Sequence, residues 1–547
     1  MTFPDLLEQV GGMGRFQIVN VLLLSIPTLM MASHNLLQNF TAAVPGHHCR
    51  PHPRDNASTD WDLAEHVRVF TPMDRTRRPI QCLRYIRAQW WLLESNATIS
   101  NTTEMDTEPC RDGWTYDRSE FSSTIITEWD LVCNQSRMGP MAQSIYMTGV
   151  LLGAVVFGGL SDKFGRRAIL IWSYLQMAVA GSCVAFSPNF IFYCVFRFIT
   201  GMALSGILLN CVCLLVEWTP TYRRTITGML SGYCYTLGQL ILVGIAYIIR
   251  DWRWLQLAVS VPFYVFFLYS WWFSESVRWL VLKGKLDRAV RELQRVAKMN
   301  GKKEEGKKLT SQTLKSSMQQ SARPEKSTYT IMDLIRTPNI RRISLYLCFV
   351  WFSTSFAYYG LSMDLQGFGV NIYLIQVIFG AVDIPAKFAS LLMMSYIGRR
   401  VTQAGFLILA GLAILINVFV PYELQVLRTV MAVIGKGCLS ASFSCAYLYT
   451  GELYPTVIRQ TGMGFCNTMA RFGGIVAPVV QMTSDYFHSL PLIIYGSAPV
   501  ISGILGWFLP ETLNKHLPET LEEVERKEPR EENLQIHSLL EIVKTTG

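Results

Sequence analysis

The chain has 547 residues, of which 50% are hydrophobic and 16% are charged, with a net charge of +9. Soluble domains usually carry roughly 25% charged residues, and apolar runs recur here along nearly the whole sequence. One soluble core with a single anchor is therefore excluded, and the composition indicates a polytopic membrane protein.

Twelve apolar runs are long enough to cross a bilayer, which takes about twenty residues each. The first run is longer than a signal-peptide core and has no clear cleavage site, so it is interpreted as a span. The eighth and tenth runs are interrupted by charges. The predicted spans are 16–37, 138–160, 168–187, 190–212, 226–249, 254–273, 343–362, 371–396, 402–420, 424–449, 461–482 and 490–510.

The first two spans are separated by a polar loop, residues 40–136, that contains no lysine. Every N-x-Ser/Thr sequon of the chain lies in this loop or at its edge, and sequons are modified only on the lumenal side. Asn39 and Asn134 are the two sequons nearest the bilayer. The predicted glycosylation sites are Asn39, Asn56, Asn96 and Asn101.

The same loop holds four cysteines, which in an oxidising compartment predict two disulfides with three possible pairings. They are Cys49, Cys82, Cys110 and Cys133. "HHC" at 47–49 could hold a metal only with further ligands, which the spacing does not supply, so Cys49 is assigned to a disulfide. The other nine cysteines lie in apolar runs and are interpreted as small buried hydrophobes.

A second polar segment follows the sixth span and is basic, with 17 Lys/Arg against 7 Asp/Glu over 275–342. Basic loops stay cytoplasmic, and this one is interpreted as a solvated helix pair near anionic lipid rather than a nucleic-acid site. Both termini are then cytoplasmic. The predicted regions are the N-terminus 1–15, a six-helix half 16–273 containing the extracellular loop 40–136, the basic loop 274–342, a second six-helix half 343–510 and the tail 511–547.

The two halves repeat each other in sequence. "SIYMTGVLLGA" (144–154) matches "NIYLIQVIFGA" (371–381), "DKFGRR" (162–167) matches "SYIGRR" (395–400), "EWTPTYRR" (217–224) matches "ELYPTVIR" (452–459), and "FSES" (273–276) matches "LPET" (509–512). Four matches in the same order predict parallel six-span repeats, the architecture of major facilitator transporters, with a substrate site between the halves.

Charges at the repeated helix ends have two interpretations. In the first, they are ion pairs that form in one conformational state and break in the other. In the second, they only anchor the helix ends to the membrane. The first is preferred because the acidic members repeat as well. The predicted gating residues are Asp162, Arg166, Arg167, Glu217, Arg224, Arg399, Glu452 and Arg459.

"GGLSDKFGRR" resembles the loop signature of the major facilitator superfamily. "MDLQGFGVNIYLIQVIFGAVDIPAK" and "GELYPTVIRQTGMG" resemble the organic ion transporters of the solute carrier 22 family, and "LLEQVGGMGRFQ" and "ASHNLLQNFTAAVPGHHCR" resemble its organic anion transporter branch. Two departures are Ser274, where the family usually has proline before Glu275, and Leu208, where relatives carry a small polar residue. The resemblance therefore implies the substrate class but not the preferred substrate.

The site is predicted around Arg471, a charge inside the eleventh span that costs roughly 2.5–3.5 kcal/mol on insertion scales. Lys387 and Asp383, four residues apart, can pair and partly cancel, whereas Lys436 is set aside as a helix-kink marker or a partner of Glu452. Aromatic walls bind planar organic molecules. With the positions that the resemblance implies, the predicted substrate-binding residues are Asn35, Tyr235, Trp351, Tyr358, Tyr359, Asp383, Lys387, Phe443 and Arg471.

The expected function is a plasma-membrane carrier of organic anions that works by alternating access. The resemblance implies exchange for an internal dicarboxylate such as 2-oxoglutarate. The alternatives are a cation or zwitterion carrier of the same fold and a receptor-like membrane protein that transports nothing. No enzyme, metal or cofactor is expected, and no G-x-x-x-x-G-K-[ST] phosphate loop is present.

Overall fold

The computed structural model describes residues 3–50, 63–73, 79–90, 106–220, 223–312, 314, 332–421, 423–455, 457–487, 489–515, 518 and 521–525. In the part of the chain that the structure describes, twelve helical segments form the bundle, as predicted, with the broken sixth counted as one. They are α1 Arg15–Leu36, α2 Met138–Phe164, α3 Arg166–Ala185, α4 Phe190–Trp218, α5 Arg224–Ile248, α6 Trp252–Ser260 with Pro262–Ser270, α7 Pro338–Met363, α8 Ile372–Tyr396, α9 Arg399–Phe419, α10 Gln425–Leu453, α11 Arg459–Gln481 and α12 Leu490–Gly506.

Eight of these helices are long and apolar enough to cross a membrane on composition alone, and they include α8 and α10 despite their charges. The sixth span was predicted as continuous, but it is broken at Val261 because Pro262 follows and cannot donate to the helix. Helix α12 is apolar but only 17 residues long. The remaining helices, α7 and α11, lie within the bundle and pack on each other.

The two halves pack alike. Helix α1 lies on α5, α2 on α4 and α3 on α6, and in the second half α7 lies on α11, α8 on α10 and α9 on α12. The halves meet through two matching pairs, α2 with α11 and α5 with α8. The sequence repeat is therefore a structural repeat, and these two pairs define the interface between the halves.

One end of the bundle, called here the loop side, carries the described part of segment 40–136. Four short strands pair there as two antiparallel ribbons: β1 His47–Cys49 with β4 Trp114–Tyr116, and β2 Leu83–Tyr85 with β3 Thr107–Pro109. The disulfides are Cys49–Cys110 and Cys82–Cys133, which settles the pairing that the sequence left open. His47 lies beside Cys82 and Cys133, but both sulfurs belong to the disulfide and cannot act as thiolate ligands.

Short helices complete the loop side: Gln38–Thr41, Leu63–Phe70, Ile125–Glu128, and the 3₁₀ turn Cys133–Gln135. Glu128 accepts from the Trp252 indole at 2.7 Å and forms an ion pair with Arg253. These contacts fasten the loop to the start of α6.

The opposite end, called here the terminal side, holds the helices Phe3–Gln9, Val277–Leu282, Leu286–Met299, Lys303–Lys307, Asp333–Arg336 and Leu521–Glu525. Helix Leu286–Met299 buries one apolar face in a cluster with Leu6, Leu7 and Val10. Asn300 fixes the arrangement, since its Oδ1 accepts from Phe16 N and its Nδ2 donates to Val10 O. The basic segment was predicted as solvated, but this part of it is docked on the first half together with the N-terminal helix.

Candidate functional site

The interface between the halves carries charges at mid-bundle depth. Arg471 on α11 is partly buried and donates from Nη1 to Val150 O of α2 at 3.2 Å. Among the residues that the structure describes, no carboxylate lies within ion-pair distance of it. Three tyrosines, Tyr146, Tyr359 and Tyr447, are close enough to interact with it electrostatically. The guanidinium therefore lies near three tyrosines and bonds to one backbone carbonyl.

The predicted pair of Asp383 and Lys387 is wrong. Asp383 on α8 binds instead to Lys436 on α10, with Nζ 3.1 Å from Oδ1, and both side chains are 1% exposed. Lys387 turns toward α5 and donates to Thr236 Oγ1 at 2.8 Å and to Gly232 O at 3.0 Å. Contacts between helices decide which cation pairs with Asp383. The spacing of four residues within α8 carries no information about those contacts.

Lys436 is a residue that the sequence interpretation missed. It does not neutralise Glu452 but lies 3.9 Å from the centroid of the Tyr358 ring while holding Asp383. A cation over an aromatic face is stabilised by the ring quadrupole. The sequence did contain a signal for this pair. Asp383 and Lys436 are opposite charges inside two spans, and either charge is too costly to bury alone.

An aromatic wall runs along α7 and α10. Tyr358 lies edge-on to Tyr359 at 5.7 Å and to Phe443 at 5.3 Å. Trp351 packs against Tyr447 at 4.6 Å and donates from its indole to Thr450 Oγ1 at 2.9 Å. The wall therefore connects Lys436 at one end with Tyr359 and Tyr447, the neighbours of Arg471, at the other.

The structure divides the nine predicted binding residues by exposure. Asn35, Trp351, Tyr358 and Asp383 are buried, whereas Tyr235, Tyr359, Lys387, Phe443 and Arg471 are partly exposed. Trp351, at 1% exposed, supports the wall from behind and is not part of its surface in this conformation. Five of the nine predicted side chains are therefore accessible in this conformation, and four are not.

The first half contributes neutral groups joined to a buried arginine. Tyr146 donates to Asn35 Oδ1 at 2.9 Å, and Asn35 Nδ2 donates to Tyr235 at 3.2 Å. Arg197, 0% exposed, lies over the Tyr146 ring at 4.2 Å and donates to Gln143. Neither Tyr146 nor Arg197 was predicted. Tyr146 recurs as Tyr373 in the repeat "SIY"/"NIY", which was the available signal.

On the loop side the halves are in direct contact. Asn39 Nδ2 donates to Ser362 O at 2.8 Å and to Gln376 Oε1 at 3.2 Å, and Phe40 stacks on Tyr373. The predicted glycosylation of Asn39 is incompatible with this conformation, because the amide nitrogen that would carry the glycan is buried and fully engaged. Asn56, Asn96 and Asn101 lie outside the described residues.

The predicted gating residues form a cluster at the terminal side of each half. Arg166 pairs with Asp162 at 2.8 Å, and Arg399 pairs with Glu452 at 3.0 Å. Two of the remaining four, Arg224 and Arg459, continue the repeat. Arg224 Nε donates to Thr219 O and Arg459 Nε to Tyr454 O, while Arg167 reaches Trp271 O and the carboxylate of Glu217 keeps one buried oxygen without a partner.

Comparison with known proteins agrees with this architecture. The profile of the family described as "Sugar (and other) transporter" matches residues 94–526. The xylose transporter XylE of E. coli, in an inward-open conformation, superposes with a TM-score of 0.57 at 16% identity, over 70% of this chain and 88% of that one. A D-xylose-proton symporter gives 0.58 at 14% identity, over 92% and 99%. The fold is that of major facilitator transporters, not of an enzyme.

Nearer relatives cover the full length. Solute carrier family 22 member 6-A of Xenopus laevis is 59% identical over 100% of this chain and 98% of its own length. The member 6 proteins of Danio rerio and Rattus norvegicus are 57% and 53% identical, over 96% of this chain and 94% and 95% of theirs. The chain belongs to solute carrier family 22 of the sugar (and other) transporter family.

Proposed function

We propose that the protein carries organic anions across the plasma membrane by alternating access. One observation carries the proposal: around the aromatic wall and Tyr146, the described residues supply four cations, Arg197, Lys387, Lys436 and Arg471, against the single carboxylate of Asp383. A site with surplus positive charge favours anions over cations.

The aromatic wall supports the binding of organic anions of varied shape. Tyr359 and Phe443 are partly exposed and present ring faces and edges to which planar organic groups bind in several poses. Arg471 keeps donors for a carboxylate or sulfonate, because its hydrogen bond to Val150 O uses only one of its five N–H groups. The cations select the charge and the rings accept varied shapes.

The proposed energy source is exchange. An inside-negative potential opposes entry of a monoanion by about 2.3 kcal/mol per 100 mV, and the sequence has no ATP-binding loop. An internal dicarboxylate such as 2-oxoglutarate leaves as the external anion enters. Both poles of such a dianion find a cation here, since Arg471 and Lys387 approach the wall from different helices, α11 and α8.

Uptake into expressing cells tests the proposal. A labelled organic anion should enter, a labelled organic cation should not, and preloading with 2-oxoglutarate should accelerate entry of the anion. If preloading has no effect while a sodium or proton gradient alone drives accumulation, the protein is a symporter and exchange is wrong.

The proposed orientation places the loop side outside the cell and the terminal side with both termini in the cytoplasm. The support is the two disulfides on one side, within the segment whose sequence carries the sequons, and the described part of the basic segment 274–342 on the other. Glycosidase treatment should increase gel mobility of the wild type. Replacing Asn56, Asn96 and Asn101 together should remove most of that shift, and a shift that survives the triple substitution would reassign the glycans.

A further inference from the structure

Three charges of the candidate site have a second use in this conformation: Arg471, Lys387 and Asp383 each bind the opposite half. Arg471 donates to Val150 O of α2, Lys387 donates to two oxygens of α5, and Asp383 Oδ2 accepts from Gln239 Nε2 of α5 at 3.2 Å. These bonds lie on the two helix pairs, α2 with α11 and α5 with α8, through which the halves meet.

Of these contacts, the bonds of Lys387 to α5 are the ones with which a bound anion competes most directly. Its two acceptors, Gly232 O and Thr236 Oγ1, are neutral. An anionic oxygen adds the Coulomb attraction of a full opposite charge, which a carbonyl or hydroxyl oxygen does not supply. A substrate carboxylate that reaches Lys387 therefore replaces its bonds to α5 without leaving the ammonium unpaired.

We propose that Thr236 is a positioning residue that clamps the empty protein through Lys387, and that binding of an anion releases this clamp. The inference rests on the proposed function and adds a physical reason for exchange. The empty protein has to break the Lys387 bonds to α5 with nothing in their place before the halves can rearrange. In the loaded protein the anion has already replaced the Lys387 bonds to α5. The rearrangement that returns the carrier to its starting state is therefore faster.

The discriminating variant is Thr236→Val, which keeps the shape of the side chain and removes the oxygen. The matched control is Thr227→Val on the same helix. Thr227 is buried, at 4% exposed, but its hydroxyl bonds only to carbonyls of its own chain segment, Arg223 O and Arg224 O. Thr236→Ser keeps the oxygen and should behave like the wild type.

The measurement is efflux of labelled 2-oxoglutarate from preloaded cells, into medium without anion and into medium with unlabelled 2-oxoglutarate. For the wild type and Thr227→Val, external anion should accelerate efflux strongly. For Thr236→Val, cycling without external anion should be on the order of tenfold faster, the rate equivalent of one hydrogen bond to a charged group. The acceleration by external anion should shrink accordingly. An acceleration equal to that of the wild type overturns the clamp.

A second readout does not depend on transport. In the purified full chain without anion, amide hydrogen exchange over α5 (224–248) and α8 (372–396) should be faster in Thr236→Val than in the wild type. Adding 2-oxoglutarate to the wild type should produce a change in the same direction. If the wild type transports no anion but the variant shows this difference, the proposed function fails and the clamp stands. If the wild type exchanges anions and both readouts of Thr236→Val are unchanged, the clamp is wrong.

Discussion

The two halves are most alike where each begins its third helix. Gly165 precedes α3 with φ +107°, and Gly398 precedes α9 with φ +109°, a region that favours glycine. A carboxylate from the end of each half caps the helix that begins after this glycine, α3 in the first half and α9 in the second. Glu275 accepts from Arg166 N at 3.0 Å, and Glu511 accepts from Arg399 N at 2.8 Å. A Cβ on either glycine would overlap that carboxylate.

The halves differ most at mid-bundle depth. The second half places Asp383, Lys387, Lys436 and Arg471 there, while the first half offers mainly hydroxyl, amide and carbonyl groups, with Arg197 packed on Tyr146. The repeat thus preserves the ends that shape each half and diverges where a ligand would lie. Under the proposed function, charge selection falls mainly to the second half, and the first half supplies the mostly neutral surface opposite those charges.

Reversing the charge of Arg471 should break this division of roles most severely. Arg471→Asp replaces the cation with an anion beside Tyr359 and Tyr447, so it removes attraction and adds repulsion. Uptake of a labelled organic anion should fall by roughly 1,000-fold, equivalent to about 4 kcal/mol. Arg471→Lys should retain part of the uptake, because lysine keeps the charge but not the planar fork.

Surface biotinylation separates loss of transport from loss of protein. The control is Arg118→Asp on the exposed part of the loop, which should transport normally. Normal anion uptake by a surface-expressed Arg471→Asp protein would remove the charge-selection hypothesis altogether.

The buried pair on the second half gives the next largest effect. Asp383→Asn leaves Lys436 buried without a carboxylate, and breaking a buried pair costs about 3–5 kcal/mol. The amount of folded protein and its thermal stability should fall sharply. Asp383→Asn combined with Lys436→Gln removes both charges and should recover much of the stability. A double variant no more stable than Asp383→Asn alone would mean that Asp383 acts through Gln239 rather than through Lys436.

The fold could be predicted from sequence because its causes are local and repeated. Span lengths follow from apolar runs, and the repeat of "GRR" and of the Glu275 and Glu511 motifs fixes the relation between halves. For the candidate site, the sequence proposes residues but not their contacts, and the interpretation missed Lys436, Tyr146 and Arg197. Which cation holds Asp383 depends on how α8 packs against α10, and whether Trp351 is exposed depends on Tyr447 covering it. Neither arrangement leaves a period or spacing in the sequence.

The two capping carboxylates provide a smaller test, because their surroundings differ. Glu275 is 4% exposed, and burial raises its pKa despite the donors of Arg166, Arg167 and Ser276. Glu511 is partly exposed. Burial opposes its ionisation as well, but backbone N–H donors outweigh it and its pKa lies below the usual value. The same motif is therefore predicted to respond to pH in opposite directions in the two halves.

Glu511→Gln should lower the free energy of unfolding at about pH 7 by about 1 kcal/mol, since charged hydrogen bonds are lost at a partly solvated site. That loss should persist down to about pH 4.5 and vanish below it, as the wild-type carboxylate protonates. Glu275→Gln should cost less at about pH 7. Its cost should grow as the pH falls through the raised pKa of Glu275, because the wild type gains stability when this group is protonated. Thermal unfolding across that range measures both, and parallel curves for the two variants would show that the caps are electrostatically equivalent.

The smallest effect concerns one carboxylate that the repeat does not share. Asp162 has Ser395 as its counterpart, so Arg166 pairs with Asp162 while Arg399 pairs with Glu452. Glu217, the counterpart of Glu452, is left with a buried oxygen that has no partner.

Asp162 is 73% exposed, so Asp162→Ser should change stability by no more than about 0.5 kcal/mol while freeing Arg166 to turn toward Glu217. The sharper measurement is a double-mutant cycle. Glu217→Gln should be nearly neutral in the wild type and should cost about 1 kcal/mol more in the Asp162→Ser background, because only there does Arg166 depend on Glu217. Equal costs in both backgrounds would show that Arg166 does not change partners and that the asymmetry between the halves is fixed by packing rather than by Asp162.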